Sequence, residues 1–175
     1  VKVKNLEQLE SALECGVDRI YYEDTNTIDK GMSLAMKYNK KVIYSAPRII
    51  RNKEYNHLAK ANNAGVESVQ VGNYGSIDYF KDKKLNIDYY LNAFNSETIN
   101  YYKEIGADTL CISQELNINE IKETIKYTDI NIESVVYGYT PLMITEYCPM
   151  GVIVRDCKKD KRVAKCKESI YALRN

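Results

Sequence analysis

Three segments of this chain repeat one grammar: a helix end, a glycine, one turn, and then a strand-like run. They are Cys15–Tyr22 (CGVDRIYY), Ala64–Val71 (AGVESVQV) and Ile105–Ile112 (IGADTLCI). Glycine closes a helix there, and the β-branched and aromatic residues that follow suit a strand. Around these units, apolar runs of strand length alternate with helical patterns along the chain. Strands are expected at 1–3, 17–22, 41–45, 66–71, 87–91, 109–113 and 132–137. Helices are expected at 5–14 (Asn5 as cap), 28–38, 55–64, 76–81, 96–105 (Ser96 as cap) and 117–127.

Alternating β and α units with short loops imply a parallel sheet with right-handed crossovers. The spacing favours a (β/α) barrel, complete or lacking strands, over an open doubly wound sheet. No glycine-rich dinucleotide fingerprint follows the first strand, which weakens a Rossmann reading. Residues 1–139 read as the barrel-like domain. Residues 140–175 depart from the rhythm and read as an irregular, cysteine-containing basic cap within the same domain.

With 175 residues, 45% hydrophobic and 28% charged, the chain is long enough to bury a core and is not of disordered composition. The formal net charge of +1 is uninformative, but its distribution is not. Arg155–Lys167 holds seven basic residues against Asp156 and Asp160, a stretch suited to RNA phosphates. No apolar run approaches a membrane span and no leader pattern is visible, so no membrane partner is expected. Five cysteines, not spaced like a secreted scaffold, suggest a reducing, cytoplasmic setting. The chain opens at Val1 and ends at Asn175 like a piece of a longer protein, and as such it could expose apolar surface and form a homodimer.

In parallel β/α folds the residues just after each strand line the active face. The set is Glu23, Asp24, Pro47, Arg48, Gly72, Asn73, Asn92, Asn95, Ser113, Glu115, Tyr137, Glu146 and Cys148. Arg48, Glu115 and Glu146 are the catalytic candidates, with Glu115 a general acid or base if buried beside Arg48. Asn73, Asn92, Asn95 and Tyr137 are the substrate-binding candidates. Asn95 or Ser96 would equally serve as a helix cap, and Glu115 as an exposed first-turn acid. His57 is the only histidine and falls in a helical segment, which argues against a Ser-His or Cys-His centre.

Cys148, Cys157 and Cys166 are the metal-ligand candidates. Loops of that length can bring three thiolates together, because closure entropy changes slowly with length. Thiolates suit an iron–sulfur cluster or zinc, and the surrounding Lys and Arg would lower thiol pKa. The alternative is free thiols on a cap. A fourth ligand would come from Cys111 or from outside the chain. Cys15 and Cys111 otherwise read as core residues.

The segment Tyr137–Cys148 (YGYTPLMITEYC), followed by Pro149, Met150 and Gly151, resembles the PLM-x-x-E-Y-C-P-x-G signature of peptidase family U32, the collagenase-like peptidases of unassigned mechanism. Ala46-Pro47-Arg48, Val71–Gly75, Leu91–Asn95 and Ser113–Leu116 extend the resemblance, in the order found in the barrel-like region of long members. The resemblance implies a peptidase, collagenase-like in some members. In other members it implies a role in hydroxylation of RNA bases or of ubiquinone precursors, several with a four-iron cluster on four cysteines. Cys148 matches such a ligand and Cys157 and Cys166 would be its companions, although the basic spacer between the latter two departs from the closer pair of many relatives. Three functions follow as expectations: a peptidase domain acting on peptide or protein substrates; an iron–sulfur-holding protein of RNA-base hydroxylation or a similar modification; or a non-catalytic accessory binding domain.

Overall fold

A seven-stranded sheet in the order β1-β2-β3-β4-β5-β6-β7 organises the chain, every pair parallel. The computed structural model describes residues 1–141, 143 and 144. The strands are β1 (Lys2–Val3), β2 (Ile20–Tyr22), β3 (Val42–Ser45), β4 (Ser68–Val71), β5 (Lys84–Ile87), β6 (Ala107–Cys111) and β7 (Asn131–Glu133). Between them run α1 (Leu6–Glu14), α2 (Ile28–Lys37), α3 (Tyr55–Asn63), α4 (Tyr74–Tyr79), α5 (Ser96–Glu104) and α6 (Ile118–Thr124). The chain divides into two compact units, Val1–Val136 and Tyr137–Asn175. Among the described residues no helix is long and apolar enough to cross a membrane.

The local grammar explains these elements. Gly16, Gly65 and Gly106, the glycines of the three repeated units, have φ of +70°, +79° and +94°. Each sits just past a helix, where a side chain would be strained. At the other ends, Asn5, Asn73, Asn95 and Asn117 cap α1, α4, α5 and α6, their side-chain oxygens accepting backbone N–H groups of the first turn.

Alternate strand residues face opposite ways. Ile20 and Tyr22, Val69 and Val71, Leu85 and Ile87, and Leu110 and Ile112 join Leu9, Ile28, Leu58, Phe80, Ile99 and Tyr102 in the hydrophobic core between sheet and helices. Gly31 of α2 belongs to this packing, because a Cβ there would stand 3.1 Å from the Tyr22 ring.

The sheet is curled into a half-barrel. Neighbouring strands lie about 4.8 Å apart, so in a flat sheet β1 and β5 would be about 19 Å apart and β2 and β7 about 24 Å. Yet Lys2 Nζ of β1 lies 2.9 Å from Oδ2 of Asp88, just past β5, and Tyr21 Oη of β2 donates to Glu133 Oε2 of β7 at 2.6 Å. Only a concave sheet brings these pairs together. The barrel-like parallel fold expected from the sequence is therefore the fold observed.

Two strands end furthest from where they were expected. β5 is Lys84–Ile87 rather than 87–91, and Tyr89–Leu91 forms a 3₁₀ turn. β7 is Asn131–Glu133 rather than 132–137. The helix expected from Ser96 is capped by Asn95, and the one expected from Ser76 begins at Tyr74 behind Asn73.

Candidate functional site

The concave face of the half-barrel is polar. Lys2, Arg19, Tyr21, Ser45, Gln70, Asn86, Asp88, Cys111 and Glu133 carry side chains that the helix-side core does not take up. They are joined to one another. Ser45 Oγ donates to Gln70 Oε1 at 2.8 Å, and Asn86 Nδ2 to Ser68 Oγ at 2.8 Å. Arg19 donates to Asn86 Oδ1, and its Nε lies 3.0 Å from Glu133 Oε1. Glu133 thus holds Arg19 with one oxygen and Tyr21 with the other. Burial first, and Glu133 second, pushes the Tyr21 phenol well above its usual range.

At the C-terminal ends of the strands a second cluster forms. Asp88 is 3% exposed; its Oδ2 takes Lys2 Nζ, while Oδ1 is buried with no donor among the described residues. Glu23, just after β2, lies 3.5 Å from the same ammonium. Burial pulls the Lys2 pKa down, but Asp88, Glu23 and Tyr90 together outweigh it, so the ammonium is held charged above its usual range. Tyr90 is half-buried between two cations, with Lys2 Nζ 5.7 Å and Arg48 Cζ 4.3 Å from its ring centroid.

Arg48 is exposed at the end of β3, and its backbone is anchored. Asn73 Nδ2 donates to the carbonyls of Pro47 and Arg48, each at 3.1 Å, while its Oδ1 accepts Ser76 N–H at 2.8 Å. Three sequence candidates, Arg48, Gly72 and Asn73, therefore converge. Gly72 has a steric reason: a Cβ would stand 3.2 Å from Tyr90 Cδ2 and 3.7 Å from Arg48 Cα.

The other candidates do not join them. Asn95 caps α5 through Thr98 N–H, and Asn92 ends the turn after β5 with φ of 52°. Both lie beyond the true end of β5. Glu115 is exposed, forms no ion pair among the described residues, and so is not buried beside Arg48. Asp24 is occupied locally by Asn26 N–H and the Thr27 hydroxyl. His57 is exposed on α3. Tyr137 is exposed in the second unit. Glu146, Cys148, Cys157, Cys166 and the basic stretch Arg155–Lys167 lie outside the described residues. Among the described residues no group of three His, Cys, Asp or Glu could hold a metal ion.

Lys2, Arg19, Asp88 and Glu133 were not legible as site residues. Their signal was the alternation of polar residues within strands, as in Leu85-Asn86-Ile87-Asp88, where a barrel strand covered on both faces would be apolar throughout.

Cys111 makes the chemistry of the concave wall testable. Its thiol is buried and pushed up to about 12, by burial first and then by Asp88 and Glu133. A protonated thiol is a poor nucleophile. Brief alkylation of the native chain near pH 8 is expected to label exposed Cys15 and leave Cys111 unmodified by peptide mass mapping. Rapid labelling of Cys111 would mean that the wall is wet.

A surface groove of about 610 Å³ along α1 and α2 lies among Leu6, Glu10, Asp29, Lys30 and Leu34, away from the strand ends where parallel β/α folds place their chemistry.

Residues 4–170 match the model of Peptidase family U32. The chain is 23% identical over 168 residues to tRNA hydroxylation protein P1 of Bacillus subtilis (strain 168), a match covering 84% of this chain and 40% of that protein. The chain thus spans 40% of the length of this curated relative. The structure of the U32 peptidase Mk0906 is similar with a TM-score of 0.62 and 13% identity, over 76% of this chain and 66% of that one. The YdjI aldolase from Escherichia coli K12 is similar with a TM-score of 0.54 and 14% identity, over 76% of this chain and 63% of its own. At such identities the two structures establish the barrel-like fold alone. With nearly its whole length matched by the family model, the chain belongs to peptidase family U32.

Proposed function

We infer that this chain takes part in hydroxylation of a tRNA base, and that its half-barrel contributes the face on which the RNA is held. The observation that carries this reading is the chemistry of the concave wall. Its one described thiol, Cys111, is held protonated, and the only histidine is on α3, so the described residues pair no nucleophile with a base. The wall offers instead carboxamides, carboxylates and cations, groups that recognise the polar edges of a planar heterocycle. The 23% identity to a tRNA hydroxylation protein supports the same reading. Cys148, Cys157 and Cys166 remain the proposed holders of an iron–sulfur cluster in this role, and no step is assigned to them.

Deleting the gene for this chain in its host tests the reading. The expected result is loss of one tRNA nucleoside heavier by a single oxygen atom, restored by re-expression, with no cleavage of gelatin by the purified chain. An unchanged nucleoside profile together with gelatin cleavage would return the weight to a peptidase.

A further inference from the structure

Beside Arg48 lies a cleft of about 310 Å³, lined by Arg48, Ile50, Tyr55, Leu58, Asn73 and Ser76 among others. Ligand pockets begin at about this size. Two features mark it as built for an oxyanion.

The first is how Arg48 is held. Guanidinium groups in folded proteins are commonly fixed by carboxylates, which use their N–H donors and cancel their charge. Arg48 has no carboxylate partner among the described residues. It rests over the Tyr90 ring, and an aromatic face attracts a guanidinium without using its donors. The backbone beneath is clamped by Asn73, and Gly72 leaves room for the Tyr90 ring. The planar donor fork is thus positioned with its charge unneutralised. Lys2 is a contrast, as its ammonium is already shared by Asp88 and Glu23.

The second is Ser76. It is fully buried, and its Oγ has no hydrogen-bond partner among the described residues. A buried hydroxyl without a partner is destabilising unless something supplies that partner. Asn73 takes the Ser76 backbone N–H and leaves the hydroxyl unpaired.

We propose that this cleft binds a phosphate group of the RNA, with Arg48 supplying the charge-assisted donors and the Ser76 hydroxyl a further one. The inference rests on the tRNA reading for the source of the phosphate, but its chemistry requires only an oxyanion.

The test uses the whole chain and its Arg48→Ala, Arg48→Lys and Ser76→Ala variants. Binding of an unmodified tRNA transcript is measured across a salt series, and inorganic phosphate is titrated while the Arg48 Nε–H resonance is followed. Arg48→Ala is expected to weaken tRNA binding about tenfold and to lower the slope of log affinity against log salt by about one. Arg48→Lys keeps the slope but not the full affinity, because the planar fork is lost. Ser76→Ala weakens binding while the melting temperature stays level or rises, since the free chain loses only an unpaired hydroxyl. If tRNA binds all variants with one slope, the inference is overturned and the tRNA reading stands. If tRNA does not bind but phosphate shifts the Arg48 resonance in a Ser76-dependent way, the cleft stands and the tRNA reading falls. If neither binds, both fall.

Discussion

Lys2→Met is expected to destabilise the chain by about 3–5 kcal/mol, the usual cost of removing one partner of a buried ion pair. Asp88→Ala is expected to cost less, about 1–2 kcal/mol. The asymmetry follows from where the two charges sit. Asp88 is 3% exposed and Oδ1 already lacks a donor among the described residues, so losing Lys2 strands both oxygens of a carboxylate away from water. The Lys2 side chain is 31% exposed and retains Glu23 at 3.5 Å, so losing Asp88 leaves the ammonium partly solvated and still paired. Glu23 itself is 42% exposed and contributes little of its own. The pair also connects β1, a strand of only two residues, to the far end of β5, so its loss loosens the curl of the sheet. Urea melts of both single variants and the double variant would measure the coupling. Equal costs, or a Lys2→Met variant as stable as wild type, would mean that the cross-barrel pair does not form.

That this pair escaped the sequence reading shows which signals are local and which are not. The three glycine-punctuated units announced β2, β4 and β6 because the punctuation is a backbone matter: positive φ after a helix is decided within a few residues. The asparagine caps are local in the same way, and Asn5 was legible as one. Strand bounds were harder wherever the concave side is polar. Lys84-Leu85-Asn86-Ile87 gives no apolar run, and the Tyr89-Tyr90-Leu91 run beside it drew the expected strand forward. That shift hid Asp88 and promoted Asn92 and Asn95. The same displacement at β7 favoured Tyr137 over Glu133. Arg48, Gly72 and Asn73 were legible because their strands ended close to where the apolar runs did. Tyr90 and Ser76 could be assigned only from tertiary contacts, because nothing in their neighbours announces a ring beneath a guanidinium or a hydroxyl without a partner.

The largest response to solution conditions is expected on the alkaline side. Tyr21, Tyr22, Tyr44 and Tyr102 are all buried, and burial is the leading cause that raises each phenol above its usual value near 10. Cys111 joins them, pushed up to about 12. In the unfolded chain the thiol releases its proton near 9 and the phenols near 10, while the folded chain retains them. Between those values and the folded ones the native state binds more protons, so unfolding becomes easier as pH rises. The stabilisation is fully present below about pH 9 and is lost above it, at about 1.4 kcal/mol per pH unit for each such group. Several groups acting together would offset a total stability of about 5–15 kcal/mol within one to a few pH units above 10. A titration followed by circular dichroism and tyrosinate absorbance should therefore show one cooperative step in which helix signal and buried phenols change together. Tyr44→Phe removes one of these phenols together with its 2.9 Å bond to Thr25, so it should lower stability at neutral pH and flatten the alkaline slope. Phenols that titrate gradually while the helix signal persists would show that the buried tyrosine hydroxyls are reached by water without unfolding.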